Sequence, residues 1–277
     1  MMLKKLLRKK EVNDMPIIIP ERFRRAVDNH IVGNLLELNH YPLILSVFGE
    51  PGMGKTFQIR THLEARGFEL FSINAADLES DHAGEPTKLL RKAYVSASAN
   101  LVGGKGAAII IDDIDTTLGE WEHYTGTVNH QDLIAFFMHI VDSPTEIENI
   151  SNNLRRVPIF FTGNDFSKIY APLRRPGRMN LFEYLPTLDD KKMIVNSIFG
   201  GRYPNEVAAF VEQHADAPIA YFSNLRASVE AYTYSRLAGN IDFSRLISDD
   251  GYRKSMRTIF GQAMSDIDWP SFFATED

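Results

Sequence analysis

The octapeptide Gly49-Glu-Pro-Gly-Met-Gly-Lys-Thr56 constrains this chain more than any other feature. It follows the apolar run LILSVF and precedes a helical pattern, so it reads as the loop of a strand–loop–helix unit. Its spacing fits GxxxxGK[ST]. In that pattern the glycines let successive backbone N–H groups curl around phosphate oxygens, the lysine reaches the terminal phosphates, and the hydroxyl holds a divalent cation. The following helix adds its free N–H groups and its dipole to the same anion site. Gly49, Gly52, Gly54, Lys55 and Thr56, with the adjoining Phe57, are therefore the expected nucleotide-binding set, and ATP with magnesium is the expected ligand.

Short β-rich apolar runs alternate with longer helical patterns, which implies a parallel sheet covered by helices. Residues 43–48, 68–73, 107–111, 157–162 and, more weakly, 181–185 read as strands. Helical stretches are expected at 56–66, 87–101 and 131–141. Beyond Pro186 the strand signals fade, and residues 189–199, 205–214, 219–237 and 251–267 read as helices. The expected organisation is a basic tail at 1–15, an αβα nucleotide domain at 16–187 and a small all-α lid at 188–277.

Two further strands end in groups that suit phosphoryl transfer. The run AAIII delivers Asp112-Asp-Ile-Asp115. The first acid of such a pair orients magnesium through its water shell, and the second polarises the attacking water. Asp112 takes the metal role together with Thr56, and Asp113 the catalytic one. A fully apolar strand rarely ends in paired acids without a cation to offset their repulsion. The run VPIFF ends in Thr162-Gly-Asn-Asp165, where an uncharged amide, Asn164, could hydrogen-bond both the γ-phosphate and the water. Ten residues on, Leu173-Arg-Arg-Pro-Gly-Arg178 gathers three guanidinium groups, which pair bidentately with phosphate oxygens.

Composition removes several classes of function. The sequence has no cysteine, which excludes disulfides, thiolate nucleophiles and thiol redox switches and suits a cytoplasmic setting. No apolar run reaches the length of a membrane span. The first ten residues carry five positive charges, and without them 25 basic face 36 acidic residues, a net charge of −11. An acidic body is a poor general surface for nucleic acid, so nucleic acid is not an expected partner, although a local basic groove would permit it. The eight histidines show no metal-ligand spacing. Trp269, Phe272 and Phe273 are expected to fold back on the lid.

The ordered set GEPGMGKT, IIIDDID, FFTGND and LRRPGRM resembles the AAA+ superfamily, and its wording is similar to the Rubisco activases. TGNDFSKIYAPLRRPGRM, LESDHAGEPTKLLRKAY, YTGTVNHQ and PLILSVFGEPGMGKTFQ resemble that family's sensor and finger segment, first pore loop, second pore loop and phosphate loop. The likeness runs from about residue 17 to residue 239. It implies a five-stranded parallel sheet with a helical lid, Asn164 as first sensor, and Arg175 and Arg178 as fingers reaching into a neighbouring subunit's site. Arg226 matches a second sensor on the lid. A homo-oligomeric ring, a hexamer in the family, follows, with a protein client of which Rubisco is the first candidate. Arg174 occupies a position not usually basic there, Asp113 is one methylene shorter than the glutamate of many relatives, and the stretch after Asn240 matches poorly. The amino-terminal extension of plant activases is not expected here, nor, in a sequence without cysteine, is their carboxy-terminal cysteine pair. Three functions compete on these residues: a remodeller gripping a protein segment through residues 81–86 and 124–131, a nucleic-acid remodeller, and a nucleotide-gated scaffold with negligible turnover.

Overall fold

The computed structural model describes residues 18–38, 40–79, 82, 84–118, 128–147, 154–238 and 241–273. They form two compact units, one of residues 19–185 and one comprising Ile18 with the described residues from Pro186 onward. The basic tail at 1–15 lies outside the described residues.

The larger unit is a three-layer αβα sandwich around a five-stranded sheet. Its strands are β1 (Ile44–Phe48), β2 (Glu69–Asn74), β3 (Ala107–Asp112), β4 (Ile159–Gly163) and β5 (Met179–Glu183), in the order β2-β3-β4-β1-β5. Every described pairing is parallel. The apolar runs that suggested strands thus fall within a residue or two of their expected bounds. β1, β3 and β4 are almost wholly buried, which explains why they read as continuous apolar runs rather than alternating ones. The weak expectation at 181–185 begins two residues earlier in the fold, because β5 is an edge strand with only Met179 buried.

Helices α1 (Glu21–Leu35), α2 (Lys55–Glu64), α3 (Glu85–Val102), α4 (Ile114–Leu118) and α5 (Val128–Asp142) belong to this unit. Ile109, Ile111, Phe161, Tyr94, Phe137 and Ile140 lie in one contiguous core between sheet and helices. The Phe137 and Phe161 rings meet edge-on at 5.1 Å, and truncating either to alanine is expected to cost about 3–5 kcal/mol in denaturant unfolding. No helix was expected ahead of β1, yet α1 buries Phe23, Val27, His30, Ile31 and Asn34. Two of those five are polar, so the helical stripe is hidden from an apolar-only reading.

The smaller unit contains α6 (Leu188–Ile198), α7 (Pro204–Gln213), α8 (Ile219–Ala238), α9 (Phe243–Ser248), α10 (Asp250–Ser265) and α11 (Trp269–Phe273). Thr187 caps α6 through a reciprocal box with Asp190. Its core gathers Val195, Phe199, Val207, Phe210 and Phe222. Trp269 and Phe273 pack on Phe199 at 4.7 and 5.0 Å between ring centres, as the aromatic cluster suggested. No described residue of α9 or α10 is buried.

Candidate functional site

Three neighbouring strands, β3, β4 and β1, end at one edge of the sheet, the carboxyl edge where open α/β sheets bind ligands. The loop leaving β1 is built from glycine. Gly49 has φ +139°, and a Cβ there would meet the Tyr184 carbonyl oxygen at 2.6 Å, so no other residue allows the loop to start this close to the segment after β5. Gly52 (φ +75°) and Gly54 (φ +81°) are also left-handed, and Gly54 caps α2. Tyr184 secures the arrangement: its N–H donates to the Phe48 carbonyl at 2.7 Å, and its hydroxyl accepts from Gln58 at 3.0 Å.

Lys55 opens α2 and is buried. Its ammonium donates to the Gly49 and Glu50 carbonyls at 2.7 and 2.9 Å and to Asn164 Oδ1 at 3.0 Å. Desolvation lowers its pKa, while the charges of Asp113 and Asp115 oppose the shift. The lysine expected at the terminal phosphates and the amide expected as sensor are therefore in direct contact, across 109 residues of sequence. Phe57 is about half exposed on α2.

Thr56, Thr162 and Asp112 form a chain of oxygens. Thr162 donates to Asp112 Oδ1 at 3.2 Å, which leaves Thr56 as donor in its 3.0 Å contact with Thr162. A hydroxyl and a carboxylate aligned in this way suit magnesium, a hard cation that keeps several of its waters. Among the described residues no cluster of three His, Cys, Asp or Glu could hold a metal by itself. Such a donor set fits a cation shared with phosphate oxygens. The other Asp112 oxygen accepts from Arg60 at 2.6 Å. Arg60 stands four residues after Thr56 on α2, on the same face as the hydroxyl, and sequence reasoning missed it because helical surface arginines are common.

Asp113 has φ +54°, a left-handed backbone that aspartate tolerates better than most residues. Its carboxylate makes no hydrogen bond among the described residues. Desolvation raises its pKa above the usual carboxylate value, the charges of Asp112 and Asp115 add to the shift, and Lys55 opposes it. Strained backbone and an uncommitted acid at a strand end are features that cluster at functional sites.

The three arginines after β4 differ sharply. Arg174 donates to the Ile169 carbonyl at 2.7 Å. Arg178 holds Asp142 with two hydrogen bonds of 2.8 and 2.7 Å and the Pro172 carbonyl with a third of 3.0 Å. Arg175 is exposed and makes no ion pair or side-chain hydrogen bond among the described residues. Arg226, in the smaller unit, donates to Glu230 at 2.7 Å and to the Ile198 carbonyl. Of the two expected gripping segments, 81–86 and 124–131, residues 81, 83 and 124–127 lie outside the described residues.

A family model described as "ATPase family associated with various cellular activities (AAA)" matches residues 45–187, from β1 to the cap of α6. The chain is 38% identical over 242 residues to a ribulose bisphosphate carboxylase/oxygenase activase of Nostoc sp., covering 84% of this chain and 58% of that protein. Activases of Anabaena sp. (40% over 225 residues; 78% and 54%) and Phaseolus vulgaris (39% over 210 residues; 72% and 47%) are similar to it as well. The chain thus spans about half the length of these curated relatives. No helix among the described residues is long and apolar enough to cross a membrane. A glycine-built loop after β1, a buried lysine hydrogen-bonded to an amide after β4, and paired acids at the end of β3 agree with the family match, and the chain belongs to the AAA family of ATPases, within which it resembles the Rubisco activases.

Proposed function

We propose that this chain binds MgATP at the carboxyl edge of its sheet, hydrolyses it within a homo-oligomeric ring, and uses the energy to remodel a protein client, with Rubisco the first candidate. The observation that carries the reading is the convergence of Lys55, Asn164 and the Thr56–Thr162–Asp112 chain from three neighbouring strands. The relatives' names supply the client. The cysteine-free sequence supports a cytoplasmic setting.

In this mechanism the amides of residues 49–55 and the Lys55 ammonium bind the β- and γ-phosphates, the anions replacing the Gly49 and Glu50 carbonyls as partners of the lysine. Thr56 and Asp112 would hold magnesium, which when bound would offset the negative charge on the phosphate oxygens. Asp113 takes a proton from the attacking water, and its raised pKa improves it as a base near neutrality. Asn164 orients that water and registers the γ-phosphate. Arg175 reaches a neighbouring subunit's nucleotide, for which its uncommitted guanidinium is suited; Arg178 follows once it exchanges Asp142 for phosphate. Arg226 acts as second sensor by leaving Glu230 in the same way. A ring, hexameric as in the family, lets every Arg175 find a site.

The test is ATP turnover by the purified chain with and without Rubisco carrying an inhibitory sugar phosphate. ATP-dependent recovery of carboxylation is the expected result. Turnover without recovery for any Rubisco from the same source removes that client and leaves the ATPase, and stimulation by nucleic acid at low salt transfers the reading to nucleic-acid remodelling.

A further inference from the structure

The third acid of the DDID run has no part in the mechanism above, yet it is more deeply buried than either of its neighbours. Asp115 lies in α4 and is 7% exposed. Its Oδ2 accepts two consecutive backbone N–H groups, from Asn164 at 2.8 Å and from Asp165 at 3.0 Å. Its Oδ1 lies over Gly163, where a Cβ would stand 2.4 Å from that oxygen and 2.7 Å from Cγ. Oδ1 has no hydrogen-bond partner among the described residues. Gly163 is therefore glycine because a carboxylate occupies the place of its side chain.

We propose that Asp115 is the positioning residue for Asn164. A carboxylate gripping two successive amides fixes the backbone of the turn after β4, and with it the direction of the Asn164 side chain toward Lys55. Only Ile114 separates Asp115 from Asp113. Asp113 stands immediately before α4 and Asp115 within its first turn, so the group that activates water and the clamp that aims the group orienting it are two residues apart. A second tie holds α4 from behind: Thr117 donates to the Ala75 carbonyl at 3.2 Å, which keeps the helix from swinging. Asp113 and Asn164 behave as one rigid pair rather than as two independently mobile loops. The inference rests on the ATPase reading.

The experiment measures kcat and nucleotide Kd for the full chain with Asp115→Ala, Asn164→Ala and both changes together. Displacing a catalytic group by about 1 Å costs roughly 10²-fold in rate, so Asp115→Ala is expected to lower kcat about 10²-fold while Kd for ATP shifts less than about threefold. Because Asp115 acts through Asn164, the double variant is expected to turn over no more slowly than Asn164→Ala alone. Asp115→Asn, which keeps one acceptor for the two amides, is expected to recover part of the rate. Should Asp115→Ala not fold, Asp115→Asn replaces it in the same cycle. Unchanged kcat, losses that multiply in the double variant, or a Kd that rises as far as kcat falls would each overturn the proposal. Absence of any turnover by the wild-type chain sinks the ATPase reading itself, a distinct result.

Discussion

Both ends of the sheet bury polar side chains, and they do so in opposite ways. At the amino-terminal edge His30 donates to the Ile159 carbonyl at 3.1 Å, and Asn34 donates to the His30 and Pro42 carbonyls at 3.0 and 3.1 Å. Arg156 donates to Asn34 Oδ1 at 3.1 Å and to the Tyr41 carbonyl at 2.5 Å. The Tyr94 hydroxyl donates to the Pro144 carbonyl at 2.7 Å and accepts the Val157 N–H at 3.3 Å. That network is closed, and its donors and acceptors are spent on holding the strands' starts. At the carboxyl edge Asp113 is strained and unpaired, Asp115 leaves one oxygen without a donor, and Lys55 occupies carbonyls of its own loop. A satisfied buried network specifies structure, and a strained, under-satisfied one holds capacity for a ligand.

Substitutions at the two edges should therefore separate cleanly. The largest effect is expected from Arg175→Ala, with hydrolysis falling about 10³-fold or more while ATP binding, read by titration, stays intact. Mixing it with an Asp113 variant should restore part of the rate if sites are shared between subunits. Asp113→Asn is expected to lose about 10²- to 10⁴-fold. In the wild type the acid limb of the kcat profile should lie above the ordinary carboxylate value of 3.8, since desolvation raises this group. Tyr94→Phe, at the closed edge, strands a buried acceptor and a buried donor. Its expected cost is about 1–3 kcal/mol in denaturant unfolding, with kcat per folded chain unchanged.

A last effect, spread over several pH units, sharpens the contrast through pH. Burial lowers the His30 pKa from 6.5 to about 3, outweighing its bond to the Ile159 carbonyl. The unfolded chain therefore binds a proton that the folded chain refuses between those values. Stability from this site is complete above about pH 6.5 and declines as pH falls toward 3, by at most about 1.4 kcal/mol per pH unit. Replacing His30 by a residue that does not titrate should flatten that part of the stability profile. An unchanged slope would mean that His30 is not held neutral.

Much of the carboxyl edge was legible in the sequence because strand-end motifs are local: GEPGMGKT, DDID and TGND each sit next to an apolar run that announces its strand. The pattern could not reveal what depends on approach across distant sequence. Tyr184 lies 135 residues beyond Gly49 yet requires it to be glycine. Arg60 reaches Asp112 from another element. LRRPGRM likewise gives no sign that Arg178 is tied to Asp142 while Arg175 is not. The closed edge was harder still, since His30, Asn34 and Arg156 look like surface residues until a helix and two loop segments meet.

For MgATP to bind as proposed, a triphosphate must take the donors that Lys55 spends on the Gly49 and Glu50 carbonyls. A crystal structure with magnesium and a non-hydrolysable ATP analogue tests this directly. The expected result has the Lys55 ammonium moved from the Gly49 and Glu50 carbonyls to phosphate oxygens, with the amides of residues 49–55 around the anion. An analogue bound at any other edge of the sheet, or one leaving Lys55 on both carbonyls, would contradict it.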